Sequence, residues 1–143
     1  MDNTKILLVD DEQGFVDTMG KRLAKRNLQV QSALSGEEAL EALKKGANPD
    51  VVILDVKMPG KDGIQTLRDI KGAYPLVEVI MLTGHATVES AIEGMRLGAY
   101  DYLMKPCDMD VLLAKVSEAY AKKKSHEEKI MQAQLKEITS RRV

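Results

Sequence analysis

Five short apolar runs, each followed by a stretch of helical spacing, constrain this chain more than any other feature. The runs are Lys5–Val9, Gln29–Leu34, Val51–Leu54, Val77–Leu82 and Tyr100–Met104. Each is short and either rich in β-forming residues or continuous, in the manner of strands covered on both faces. Between them, Phe15, Met19 and Leu23 recur every four residues, as do Ala39 and Leu43. Ile64, Leu67 and Ile70/Lys71 mark a third helix, Val88, Ile92 and Met95 a fourth, and Met109, Leu112, Leu113, Val116 and Tyr120 a fifth. Ser35-Gly-Glu-Glu38 has the form of a capping box, Gly46 and Asn48-Pro49 end the helix it opens, and Gly98 stands where a left-handed C-cap is common. Strict alternation of strand and helix predicts a doubly wound α/β fold, a parallel sheet with helices on both faces.

Composition fits one soluble domain. The chain has 143 residues, 44% hydrophobic and 30% charged, and no apolar run approaches the ~18 residues that span a bilayer. The N-terminus enters a strand without a signal-peptide pattern, and the single cysteine, Cys107, leaves no internal disulfide framework, so the cytoplasm is the expected compartment. The net charge of -1 divides unevenly: residues 1–121 carry 14 Lys+Arg against 19 Asp+Glu, and residues 122–143 carry 7 against 3. The basic tail has no aromatic residue to stack on bases and no nucleic-acid motif, so direct DNA binding by this chain is not expected.

Ligands of doubly wound sheets bind at the carboxyl ends of the strands. That crevice should receive Asp10 and Asp11 after the first strand, Asp55 after the third, Thr83 after the fourth and Lys105 after the fifth. Three converging carboxylates repel unless a proton or a cation joins them. Oxygen-only ligands point to a hard ion, and Mg2+ is the one that commonly binds through one or two carboxylates while keeping waters for a phosphate to replace. With the metal in place, Asp55 is the natural nucleophile toward a phosphoryl group. The Lys105 ammonium and the Thr83 hydroxyl would then neutralise and position its oxygens.

Asp10-Asp11, Asp55-Val-Lys-Met-Pro-Gly-Lys-Asp-Gly63, Met81-Leu-Thr-Gly84 and Tyr102-Leu-Met-Lys-Pro106, in that order and spacing, resemble the receiver domain of two-component response regulators over residues 4 to about 121. The resemblance implies a (βα)5 flavodoxin-like fold of strand order 2-1-3-4-5. It implies that Asp55 accepts a phosphoryl group from a cognate histidine kinase. Asp11, Asp55 and the Lys57 carbonyl would ligate Mg2+, with Asp10 assisting through water. It also implies a switch: Thr83 moves toward the phosphoryl group, Tyr102 rotates inward behind it, and the face made by the fourth helix, fifth strand and fifth helix changes. Lys105-Pro106 resembles the family's cis bond. Cys107 departs from the family pattern, standing where an apolar aromatic is common. Lys57 and His85 occupy positions that tune autodephosphorylation, and neither offers a carboxylate or amide to orient water.

Residues 1–121 are thus expected to form the receiver and 122–143 a helical extension or linker. In the tail Met131, Leu135 and Ile138 form a short seam at coiled-coil spacing, so a homodimer through this helix or through the switching face is a candidate assembly. The Thr83-Gly-His-Ala stretch resembles receivers attached to ATP-dependent transcriptional activators, the nitrogen-regulation or sigma-54 class. Two other classes fit less well. A phosphohydrolase of the haloacid-dehalogenase type needs a second Asp two residues after the nucleophile, where this chain has Lys57. A flavin module or phosphorylation-independent scaffold leaves the acidic crevice without a purpose.

Overall fold

The computed structural model describes residues 3–56 and 62–141. Ten elements alternate: β1 (Lys5–Val9), α1 (Gln13–Ala24), β2 (Gln29–Ala33), α2 (Gly36–Lys44), β3 (Val51–Leu54), α3 (Gly63–Ala73), β4 (Glu78–Thr83), α4 (Val88–Arg96), β5 (Asp101–Met104) and α5 (Met109–Arg141). The strands form one parallel sheet in the order β2-β1-β3-β4-β5. The parallel doubly wound sheet is the one expected from the alternation, and its strand order is the flavodoxin-like one that the family resemblance implied.

Because successive strand residues face opposite sides, each central strand feeds two cores. Leu7, Val9, Val52, Leu54, Val79 and Met81 pack with Ala39, Leu43, Leu67 and Ile70 of α2 and α3. Ile6, Leu8, Val51, Ile53, Ile80 and Leu82 pack with Val16, Met19, Leu23, Leu112, Val116 and Ala119 of α1 and α5. β3 and β4 are buried throughout, which is why Val51–Leu54 and the stretch 79–82 read as unbroken apolar runs.

The predicted helix ends hold with one variation. Ser35 accepts a hydrogen bond from the Glu38 amide (3.1 Å), but Glu38 reaches back to the Leu34 amide (2.7 Å), one residue before the cap. Gly46 and Gly98 take φ of 101° and 102°, the left-handed conformation that ends α2 and α4. The Lys105-Pro106 peptide is cis.

α4 differs from its sequence reading. Val88, Ile92 and Met95 lie on one helix, as their spacing predicts, yet they are 73%, 53% and 47% exposed. The helix instead turns Gly94, its buried residue, toward Tyr102, Met81 and Ile64. A Cβ at Gly94 would make only ordinary contacts there, 3.7–4.0 Å from these three side chains, and the apolar stripe faces away from the core.

At the opposite, amino-terminal ends of β3 and β4 is a charged cluster that periodicity does not reveal. Asp50 and Glu78 are 8% and 2% exposed. Asp50 accepts the Lys5 amide (2.9 Å) and the ammonium of Lys123 (3.0 Å). One Glu78 oxygen accepts from Lys71 (3.2 Å), and the Lys122 ammonium lies 3.3 Å from the other in an ion-pair contact without hydrogen-bond geometry. Lys123, 4% exposed, also approaches Glu127 at 3.4 Å. α5 continues through this cluster without a break to Arg141, and beyond it Ile130, Met131, Leu135 and Ile138 are exposed.

Candidate functional site

The backbone ladder runs one residue past the strands and sets the site. Asp10 N–H bonds to Ala33 O (3.1 Å), Asp55 N–H to Val9 O (2.9 Å) and Lys105 N–H to Thr83 O (2.9 Å). Side chains that follow β1, β3 and β5 are thereby held in register at the carboxyl edge. Asp10, Asp55 and Thr83 are buried at 1%, 3% and 0% exposure, whereas Asp11 is exposed. Asp10, Asp11 and Asp55 each present a carboxylate oxygen within 4.8 Å of the others. Asp55 Oδ1 is buried with no hydrogen-bond partner among the described residues. A buried, unpartnered carboxylate oxygen beside two further carboxylates is the arrangement that a hard cation or a phosphoryl group completes.

Lys105 crosses from β5 to Asp10, its Nζ 2.6 Å from Oδ2, with Glu12 Oε1 at 3.5 Å. The Phe15 ring lies beneath the ammonium, 4.0 Å from nitrogen to centroid. Glu12 N–H donates to the other Asp10 oxygen at 3.0 Å. Burial pushes the Asp10 carboxyl up from its ordinary 3.8; the Lys105 and Glu12 hydrogen bonds oppose this, and the charge of Asp55 adds to the rise. For Lys105, burial works against the ammonium, but the Asp10 hydrogen bond and the charges of Asp10, Asp55 and Glu12 outweigh it and raise the pKa. The lysine is therefore a fixed positive charge in the crevice.

Thr83 Oγ1 accepts the His85 amide (3.1 Å), and the His85 side chain is exposed. Tyr102 is half-buried, with its hydroxyl 2.6 Å from Ser90 Oγ. Lys57 lies outside the described residues. Gly63 closes the far side: its amide bonds to Val56 O at 2.6 Å, and a Cβ there would stand 2.0 Å from Asp55 O. The structure thus brings together Asp10, Asp11, Asp55 and Lys105 and places Thr83 at the end of the neighbouring strand. Sequence reasoning missed Glu12 and Phe15. Their signal was available, since both follow the acidic pair within the first turn toward the crevice and Phe15 is the chain's one phenylalanine.

The sequence profile of the response regulator receiver domain matches residues 6–117. The chain belongs to the response regulator receiver family. Among curated relatives, this receiver is 39% identical over 120 residues to the transcriptional regulatory protein ZraR of Escherichia coli K12, covering 84% of the chain and 27% of ZraR. It is 37% identical over 114 residues to the DNA-binding transcriptional regulator NtrC of the same strain, covering 80% of the chain and 24% of NtrC. The receiver spans about a quarter of the length of these relatives. A crystal structure of a receiver domain protein from Clostridium thermocellum superposes with a TM-score of 0.80 at 38% identity, covering 85% of this chain and 97% of that one. Phosphorylation and Mg2+ are general features of this two-component family, whose receivers are signalling domains rather than classical enzymes.

Proposed function

We propose that this receiver is a phosphorylation-driven signalling switch in which Asp55 accepts a phosphoryl group from the phosphohistidine of a cognate kinase. The observation that carries the reading is the buried Asp55 oxygen without a partner, set between two carboxylates and a lysine held in place by one of them. An Asp55 oxygen forms the new O–P bond as the P–N bond breaks, and the electron pair leaves with the imidazole, which takes up a proton. Lys105 moves its ammonium, which lies over the Phe15 ring, from Asp10 toward a phosphoryl oxygen, and Thr83 Oγ1 donates to another. Asp11 and Asp55 would hold Mg2+ directly and Asp10 through water, with the Lys57 carbonyl as a further ligand. The oxygen-only donor set suits that ion. When bound, Mg2+ neutralises charge on the phosphoryl oxygens.

On phosphorylation Thr83 is drawn to the phosphoryl group and Tyr102 moves with it, altering the surface of α4, β5 and α5. Exposed Val88, Ile92, Met95, Met104 and Val111 on these elements support a protein-facing role for that surface. The relatives' names support an output in transcriptional control carried by a domain outside this chain, with residues 1–121 as the receiver and 122–143 as the connection. A homodimer through the switching face or the α5 seam fits the same surfaces. Among the described residues no helix is long and apolar enough to cross a membrane.

Intact mass after treatment with acetyl phosphate or beryllofluoride and Mg2+, on wild type and Asp55→Asn, tests the reading, with light scattering on each state. A single Mg2+-dependent adduct absent from the variant is expected. A folded, Mg2+-binding protein that takes no adduct from any donor would leave a phosphorylation-independent scaffold instead.

A further inference from the structure

The first turn of α4 and the ring of Tyr102 share one hydroxyl. Thr87 caps the helix by accepting the Ser90 amide (3.0 Å), and Ser90 reciprocates by accepting the Thr87 amide (3.1 Å). Ser90 Oγ also lies 2.9 Å from Thr87 Oγ1, 3.1 Å from Thr87 O and 2.6 Å from the Tyr102 hydroxyl. A serine hydroxyl has one proton and two acceptor lone pairs, so it serves at most three of these four neighbours at a time. One lone pair can take the Thr87 amide and the other the Tyr102 hydroxyl while the proton goes to Thr87 O, so the cap and Tyr102 are joined through one oxygen, and a change at one redistributes the hydrogen bonds of the other.

Little else holds the start of α4. Its apolar side chains Val88 and Ile92 are exposed, and its buried residue, Gly94, comes one turn later against the same tyrosine ring. Where few apolar contacts anchor a segment, side-chain hydrogen bonds account for more of its local stability. The loop entering this turn starts at Thr83, whose hydroxyl accepts the His85 amide.

We propose that Ser90 is a positioning residue for the switch: it holds the Tyr102 hydroxyl and the α4 cap as one unit, so the tyrosine cannot change place without the first turn of α4 rearranging. The inference deepens the reading of Tyr102 as the switching aromatic and rests on it. It assigns no contact with the phosphoryl group to Ser90.

The test is a double-mutant cycle of Ser90→Ala and Tyr102→Phe, read by hydrogen exchange of the α4 amides with and without beryllofluoride and Mg2+. Each substitution alone should speed exchange in the first turn several-fold. In the Tyr102→Phe background, Ser90→Ala should have an effect at least about threefold smaller than in wild type, the coupling expected of a shared net hydrogen bond. Ser90→Thr, which keeps the hydroxyl, should restore exchange to near the wild-type rate. Effects of the two substitutions that simply multiply, or a Ser90→Thr variant as fast as Ser90→Ala, would overturn the proposal. Mass measurement of the Asp55 adduct in each variant separates the two ideas. Coupling without any adduct would sink the switch and with it this role for Ser90, while a normal adduct without coupling would sink the Ser90 assignment alone.

Discussion

Replacing Lys123 by methionine should remove a substantial fraction of the receiver's stability, although the residue lies far from the phosphoryl site. The Lys123 and Asp50 side chains are 5% and 11% exposed and meet at 3.0 Å. Taking one partner from a buried ion pair costs about 3–5 kcal/mol, because the remaining charge stays out of water. Two features place this pair at the lower end. Asp50 keeps the Lys5 amide at 2.9 Å, and methionine preserves most of the apolar stem. We therefore expect a loss of about 3 kcal/mol, which at a urea m-value of about 1.5 kcal/mol/M moves the midpoint down by about 2 M. Urea unfolding followed by circular dichroism measures it. Asp50→Asn should also destabilise, and the Asp50→Asn/Lys123→Met double variant should be at least about 1 kcal/mol more stable than the sum of the single losses implies. A Lys123→Met loss under about 1 kcal/mol, or strictly additive losses, would refute the view that these charges are coupled and buried.

Gly63→Ala should cost about 3 kcal/mol or more in thermal unfolding, because a Cβ 2.0 Å from Asp55 O and 2.5 Å from Val56 Cα has only backbone to displace; a variant as stable as wild type would contradict that close approach. In divalent-free buffer the folded protein holds the Asp10 proton more tightly than the unfolded chain, since its pKa is raised from 3.8. Asp10's contribution to stability therefore grows as pH falls through the folded value and is complete below 3.8, so Asp10→Asn should lose that gain and make the slope of stability against pH more positive over that interval. Identical slopes for the two proteins would count against it. Phosphorylated Asp55 should decay more slowly than in fast-cycling chemotaxis regulators, because Lys57 and His85 supply no carboxylate or amide to orient water; a half-life of a few seconds in Mg2+ buffer would dispose of this expectation.

The sequence conveyed most where a single physical rule governs several residues at once. Strand period and alternation with helices pointed to a parallel sheet covered on both faces, the family resemblance supplied its strand order, and the rule that ligands sit at strand carboxyl ends selected Asp10, Asp11, Asp55, Thr83 and Lys105 without coordinates. It conveyed less where the environment of a side chain depends on what another element lacks. The spacing of Val88, Ile92 and Met95 marks a helix, but which face docks is settled only in three dimensions, where Gly94 lies against Tyr102 and the apolar stripe faces outward. The Asp50–Lys123 pair was invisible for a related reason: the partners lie 73 residues apart, and a lysine within Lys122-Lys-Lys124 reads as solvated until the helix is docked on the sheet. Phe15 as the floor for Lys105 likewise requires α1 and the end of β5 to meet across the two strands that separate β1 from β5.

α5 starts just after Lys105 at the carboxyl edge, passes the carboxylates at the other end of the sheet, and continues to Arg141. Residues 124–141 at 1.5 Å per residue make an arm of roughly 27 Å beyond that second attachment. A tilt of about 5° about the clamp would carry its tip through roughly 2.4 Å, enough to shift Leu135 and Ile138 relative to any surface they face. The geometry is that of a lever with its fulcrum at Lys122 and Lys123. The near arm, residues 109–122, is roughly 21 Å long, so the same tilt moves the start of α5 by about 1.8 Å, and the displacement arrives reversed and about 1.3-fold larger at the end that leads away from the domain.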